Sequence, residues 1–299
     1  APGNGTRFQP ENWSFTSPSG PLSKTEIRNF WSFQDAVETK MAAHKNSNPG
    51  DADDIAIADL VDWSAPEAPL YAHLMAGLNA SEITEQSTND YLKAGFGLDY
   101  PVGGGLGSFI AKWGAGVPVT LNCRVSEIAW GDGRITVTSN KGSVTAKRAI
   151  ITVSTGILNS GAITFTPQLP ATFRDAAALL PCGTLNKIGV ALAADSFAPT
   201  DAGWHVLCPT TSGQIGDGQI GDGKISDGKI SDGLASVDIN LDGHPQAVVF
   251  AGASLGIYLE KQGPRAMQEY AADALAALFG TDIKRKILGY ITTAWHSEP

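Results

Sequence analysis

A single change of hydrophobic period, at Val119, divides this chain and limits what it can fold into. Before it, apolar residues recur at helical spacing: Ile27, Phe30, Trp31, Val37 and Met41 share one face of a predicted helix running to about Lys45. Its start is marked by Ser23 with Glu26 three residues on, a capping box, and by the Leu22/Ile27 staple. A Gly/Asn/Pro/Asp turn at 46–51 ends it. A short helix at 55–61 and another at 65–78, opened by Ser64 and Glu67 as a second capping box, make 20–95 mainly helical. The first twenty residues read as irregular chain.

After Val119 the period is two. VTLNCRV, SEIAW, RITVTS and SVTAKRAIITV read as strands, joined by the hairpin signals Gly131-Asp132-Gly133 and Asn140-Lys141-Gly142. A helix at 171–180 leads into GTLNKIGVAL, where Leu185, Lys187 and Gly189 fall on one face and Asn186, Ile188 and Val190 on the other. A lysine in so apolar a strand needs a reason. Either its stem lies along the surface of an edge strand with the amine in water, or it is buried with a partner or without its proton. Strands at 204–207, 247–251 and 284–294 and an amphipathic helix over 264–279 complete the pattern.

At 299 residues the chain has ample length for a core, and 42% hydrophobic with 17% charged residues makes it globular. A net charge of -9 and a pI near 5.0 argue against nucleic acid as a partner and favour the approach of a cationic amine. No apolar run approaches membrane-spanning length, so no membrane segment is expected. Cys123, Cys182 and Cys208 form no metal-ligand spacing with each other or with the histidines; they read as buried thiols, and no metal site is expected. Gly103-Gly104-Gly105-Leu106-Gly107 precedes a short helix but lacks the apolar strand and downstream acid of a dinucleotide loop. Between 213 and 233 the unit QIGDG, QIGDG, KISDG, KISDG repeats with period five, which serves neither a helix nor a strand face and reads as a solvated loop. These repeats resemble those of fungal cell-wall proteins, and sequons at Asn4, Asn12 and Asn79 fit a secreted protein.

Five blocks in order, PVGGGLGSFIAKW, VTLNCRVSEI, AIITVSTGIL, ITFTPQLP and GTLNKIGVAL, resemble the flavin-dependent amine oxidases: polyamine oxidases, monoamine oxidases and lysine-specific histone demethylases. That resemblance implies a mixed α+β and α/β fold in which a portion of an FAD domain interleaves with a substrate domain. It divides the chain into a mainly helical substrate-domain portion (1–118), an FAD-domain meander (119–165) and a substrate-domain sheet with helices (166–299).

By the same resemblance, Lys187 is the lysine that holds a water against the flavin. The Val125 backbone touches the adenine of FAD, Thr152 passes near the flavin, and Trp295 packs on the flavin or the substrate channel. From the residues alone Val125 is a core valine. Ser154 stands where the family has proline. The family's opening strand, G-x-G-x-x-G turn and helix find no match before Glu26, and ITTAWHSEP resembles a segment that continues in relatives toward a second flavin motif. The implied function is FAD-dependent oxidation of a polyamine-like primary or secondary amine to an imine, by an incomplete or split chain whose partner carries the missing FAD-binding segments. A non-catalytic binding module and an L-amino-acid-oxidase-like enzyme are the alternatives.

Overall fold

The structure, a computed structural model, describes residues 13–48, 50, 53–94, 102–208, 235–240 and 243–297. The pentapeptide repeats and the sequons at Asn4 and Asn12 lie outside these residues. The chain divides into two compact units: residues 1–106 with 183–296, and residues 107–182 with 297–299. The second is thus inserted in the first, an interleaving of the kind the sequence implied.

The first unit is built on a seven-stranded sheet. Its strands are β1 (Ser14–Ser17), β2 (Gly20–Pro21), β7 (Leu185–Leu192), β8 (Gly203–Leu207), β9 (Ala235–Ile239), β10 (Gln246–Gly252) and β11 (Ile287–Thr292), in the order β11-β7-β10-β9-β8-β1-β2. Only β1 and β8 pair in parallel. Because side chains alternate along each strand, the sheet buries two different cores. Ile188, Val190, Val237, Ile239 and Val249 pack with α7 (Ala253–Gln262) and α8 (Pro264–Phe279), from which Leu259, Met267, Tyr270 and Leu275 enter the same cluster. Trp204 and Val206 belong to the other cluster, with Phe30, Val37 and Met41 of α1 (Lys24–Ser47) and Leu70, Tyr71 and Leu74 of α2 (Ala68–Asn79). Burying each such aliphatic side chain stabilises the fold by about 1.5–3 kcal/mol before entropy is counted.

The capping box forms as predicted: Glu26 N donates to Ser23 Oγ at 3.2 Å and Ser23 N donates to Glu26 Oε2 at 2.7 Å. Ser23→Ala is therefore expected to destabilise the protein by about 1 kcal/mol, read as a lowered denaturation midpoint with an unchanged slope. The second box does not form. Ser64 Oγ donates instead to Asp62 Oδ1 at 2.6 Å, a local turn that competes with capping, and α2 starts later, at Ala68, with Pro69 in its first turn. The predicted helix at 55–61 is a single 3-10 turn, Ile57–Leu60. Three strands were not anticipated: β1 and β2, in chain that read as irregular, and β9, which follows the repeats.

The second unit holds β3 (Val125–Gly131), β4 (Arg134–Ser139), β5 (Gly142–Ala146) and β6 (Thr164–Thr166), in the order β5-β4-β3-β6. The expected meander is present, extended by β6 running parallel to β3. Asp132 and Gly133 both have positive φ, 48° and 74°, as a two-residue hairpin turn between right-twisted strands requires. Helices α4 (Leu106–Trp113), α5 (Thr155–Ser160) and α6 (Ala171–Ala178) accompany the sheet; α3 (Thr88–Ala94) belongs to the first unit. The strands expected around 119–122 and 149–153 are absent. Both segments find no ladder partner among the described residues, and Ile150 is 92% exposed. The apolar composition there signalled a strand, but pairing decides whether one forms.

Candidate functional site

β7 is an inner strand, flanked by β11 and β10, yet Lys187 on it is exposed. The expectation of an edge strand is corrected by the sheet order, and that of a buried ammonium by the alternation along β7, which turns Asn186, Ile188, Val190 and Leu192 into the core and Lys187 outward. The Lys187 stem lies beside its cross-strand partner Phe250, with Nζ 5.2 Å from that ring's centroid. This cation–π contact holds the amine over an aromatic face without taking its hydrogen-bond donors. Phe250 is itself seated on Trp204, 4.7 Å between ring centroids.

Next along the same face comes Gly189, where an added Cβ would meet Ile291 Cγ2 at 2.7 Å, and then Ala191. Across β10 and β11 from Gly189 and Ala191 stand Val248, Gln246 and Ile291, whose side chains share this face beyond the ammonium.

The segment after β11 is fastened to this strand. Lys187 N donates to Thr293 Oγ1 at 2.9 Å, and Thr293 N donates to Lys187 O at 3.2 Å. Trp295 N donates to Asn186 Oδ1 at 3.0 Å, so the largely exposed Trp295 is tied by its backbone to a side chain on the face of β7 opposite to Lys187. Of the four expected residues, Lys187 lies on β7 and Trp295 is fastened to the same strand through the neighbouring Asn186 side chain, on the opposite face from Lys187. Asn186, which joins them, was not singled out from the sequence, although an amide on the apolar face of a strand was a visible signal.

Val125 and Thr152 belong to the second unit. Val125 is half-buried at the start of β3, opposite Ser139 and beside an irregularity in the ladder at Ser126. Thr152 is exposed in an extended segment leading to α5. Ser154 caps α5, accepting from Ile157 N at 3.2 Å, and has φ −65°, the value proline would impose. Serine in place of the family's proline therefore preserves the turn.

The cysteines correct the expectation of buried thiols: Cys208 is buried, Cys123 half-buried and Cys182 exposed. Burial pushes the Cys208 thiol up to about 12. The Cys182 thiol, 3.3 Å from the Thr155 hydroxyl, is held below the ordinary range, first by that hydroxyl and then by the Gly156 amide.

The donor set on the β7 face suits the ring end of a flavin: one cation with three N–H donors and an aromatic support, Phe250. It does not suit a pyrophosphate, because no strand, glycine turn and helix unit occurs among the described residues; the turn with Gly104 and Gly105 at positive φ precedes α4 but follows no described strand.

Comparison with known proteins gives a consistent picture. The family model described as flavin containing amine oxidoreductase matches residues 36–299. Among named relatives, lysine-specific histone demethylase 1 homolog 1 of Oryza sativa subsp. japonica is 25% identical over 199 residues, 65% of this chain and 21% of that protein. Polyamine oxidase 4 of the same organism is 41% identical over 76 residues, 25% of this chain and 16% of that protein. A double mutant of putrescine oxidase superposes with a TM-score of 0.67 at 17% identity, covering 96% of this chain and 67% of the other. The wild-type putrescine oxidase bound to putrescine gives a TM-score of 0.67 at 18% identity, covering 95% and 67%. The chain therefore spans about a fifth of the length of these curated relatives and about two thirds of the solved ones.

Proposed function

On the premise that this chain belongs to the flavin containing amine oxidoreductases, whose cofactor is FAD, we propose that it takes part in the oxidation of a polyamine-like primary or secondary amine with oxygen as acceptor. The observation that carries this reading is Lys187, displayed outward on an inner strand over the Phe250 ring. An outward lysine on an edge strand would be ordinary. One displayed outward on an inner strand, over the Phe250 ring, suits a working face.

When bound, FAD supplies the acceptor for the hydride that leaves the carbon next to the amine nitrogen, giving an imine that water hydrolyses. In this reading Lys187 holds a water at the ring edge through its N–H donors. Trp295 packs on the flavin or the substrate channel, and the net charge of -9 draws a cationic amine toward the protein. In the same reading, Val125 through its backbone meets the adenine of FAD and Thr152 passes near the flavin. The pyrophosphate is left to residues outside the described set or to a partner chain.

The test is to titrate the purified chain with FAD, isolate any bound flavin, and add putrescine or spermidine without oxygen. Bleaching of the bound flavin supports an amine oxidase. A bound flavin that no amine bleaches overturns the oxidase reading and leaves the binding module, which the lack of a pyrophosphate cradle among the described residues favours as the second reading.

A further inference from the structure

Asn186 has no exposed surface, and yet it sits in a row of aliphatic side chains on β7. A leucine there would join the Ile188 and Val190 cluster at no polar cost, so packing does not ask for an amide. Its carboxamide offers two donor and two acceptor positions, and all four are used. Oδ1 accepts from Trp295 N at 3.0 Å and from Thr293 Oγ1 at 3.2 Å. Nδ2 donates to Glu260 Oε2 at 2.9 Å and to Gly256 O at 3.3 Å, both on α7. The same Glu260 oxygen accepts from His296 N at 3.0 Å, and Thr293 Oγ1 accepts from Lys187 N.

These bonds form a clamp joining three elements: the strand that carries Lys187, the helix α7 and the segment 293–296 that carries Trp295. We propose that Asn186 is a positioning residue, whose amide, oriented by Glu260, fixes the 293–296 segment, and with it the backbone of Trp295, to the strand that displays the Lys187 face. The inference rests on the reading of that face given above for its functional meaning, but the clamp itself is measurable without flavin. A fully satisfied buried network specifies one geometry, which an apolar contact of equal area does not.

The experiment is amide hydrogen exchange on the full chain, without flavin. Asn186→Leu is expected to speed exchange at Trp295 and His296 by about tenfold, the effect of one lost hydrogen bond of ordinary net strength, with Val190 unchanged. Asn186→Asp combined with Glu260→Gln exchanges donor and acceptor between the pair and is expected to return Trp295 to within about threefold of the parent, while His296, whose acceptor has become a donor, stays fast. Rescue by that swap distinguishes positioning from space-filling. Thr293→Val, outside the core, gives a second reading should Asn186→Leu loosen β7 as a whole; it is expected to speed Trp295 exchange about threefold. Unchanged exchange at Trp295 in either single variant, or no rescue by the swap, overturns the clamp. The flavin arm is separate: a clamp that holds in protein whose bound flavin no amine reduces leaves the positioning intact and removes the oxidase.

Discussion

Lys187→Met, in flavin-loaded protein, is expected to lower oxygen consumption with an amine by at least about 100-fold while changing amine affinity less than about threefold. Methionine keeps the length of the stem and its contact with Phe250 but removes the charge and every N–H donor, so it deletes the ability to hold a water and little else. The strand persists, because the backbone of residue 187 is bonded to Thr293 on one side and pairs with Phe250 on the other. Since Lys187 is exposed, the change in stability is expected to stay within about 0.5 kcal/mol, the cation–π contact included. Loss of rate without loss of fold is therefore the signature. Lys187→Arg keeps the charge but presents a planar fork in place of a compact ammonium, and an intermediate rate is expected. Oxygen consumption equal to that of the parent in the methionine variant would falsify the assignment of Lys187 to the chemistry.

Acid is expected to destabilise the first unit through His73. Burial among α2 neighbours pushes this imidazole down from 6.5 to about 4. The folded state therefore resists protonation that the unfolded chain accepts, and stability is fully present above pH 6.5 and declines as the pH falls toward 4. The full difference converts to about 3 kcal/mol; because His73 is only half-buried, a loss of about 2 kcal/mol is the appropriate expectation. Chemical denaturation at a series of pH values in this window, with and without His73→Phe, measures it. The variant's profile should be flatter by that amount, and parallel profiles would remove His73 as the cause.

Much of this architecture was legible in the residues. The Ser23/Glu26 pair, the Asp132-Gly133 turn and the 264–279 amphipathic pattern each carry a local rule strong enough to act alone, and each is realised. Where two local rules competed, the sequence misled. Ser64 was as good a cap as Ser23 on paper, but Asp62, two residues earlier, offered its hydroxyl a nearer acceptor. Ile150 and Ile151 have strand chemistry, and strand formation depends on a neighbour that no short window reveals.

The site divides in the same way. The outward direction of Lys187 relative to Ile188 followed from a period of two, and its resemblance to a family lysine gave it a role to test. That β7 is an inner strand depends on β11, which lies about a hundred residues further on, so an edge-strand reading was equally consistent with the local sequence. The Asn186 clamp joins β7, α7 and the 293–296 segment. Contacts between segments so distant in the chain are the kind that sequence periodicity does not contain.

The one parallel pairing in the large sheet has a consequence for how the protein is made. Phe15 lies opposite Val206, and the whole of the inserted unit, 107–182, is synthesised between them. On a ribosome, the first strand and the helices that pack with it emerge long before their sheet exists. They wait with Phe15, Phe30 and Met41 uncovered while the second unit is extruded behind them. The nascent chain therefore passes through an interval of exposed aromatic surface whose length is set by translation, and holdase chaperones are the natural guardians of that interval.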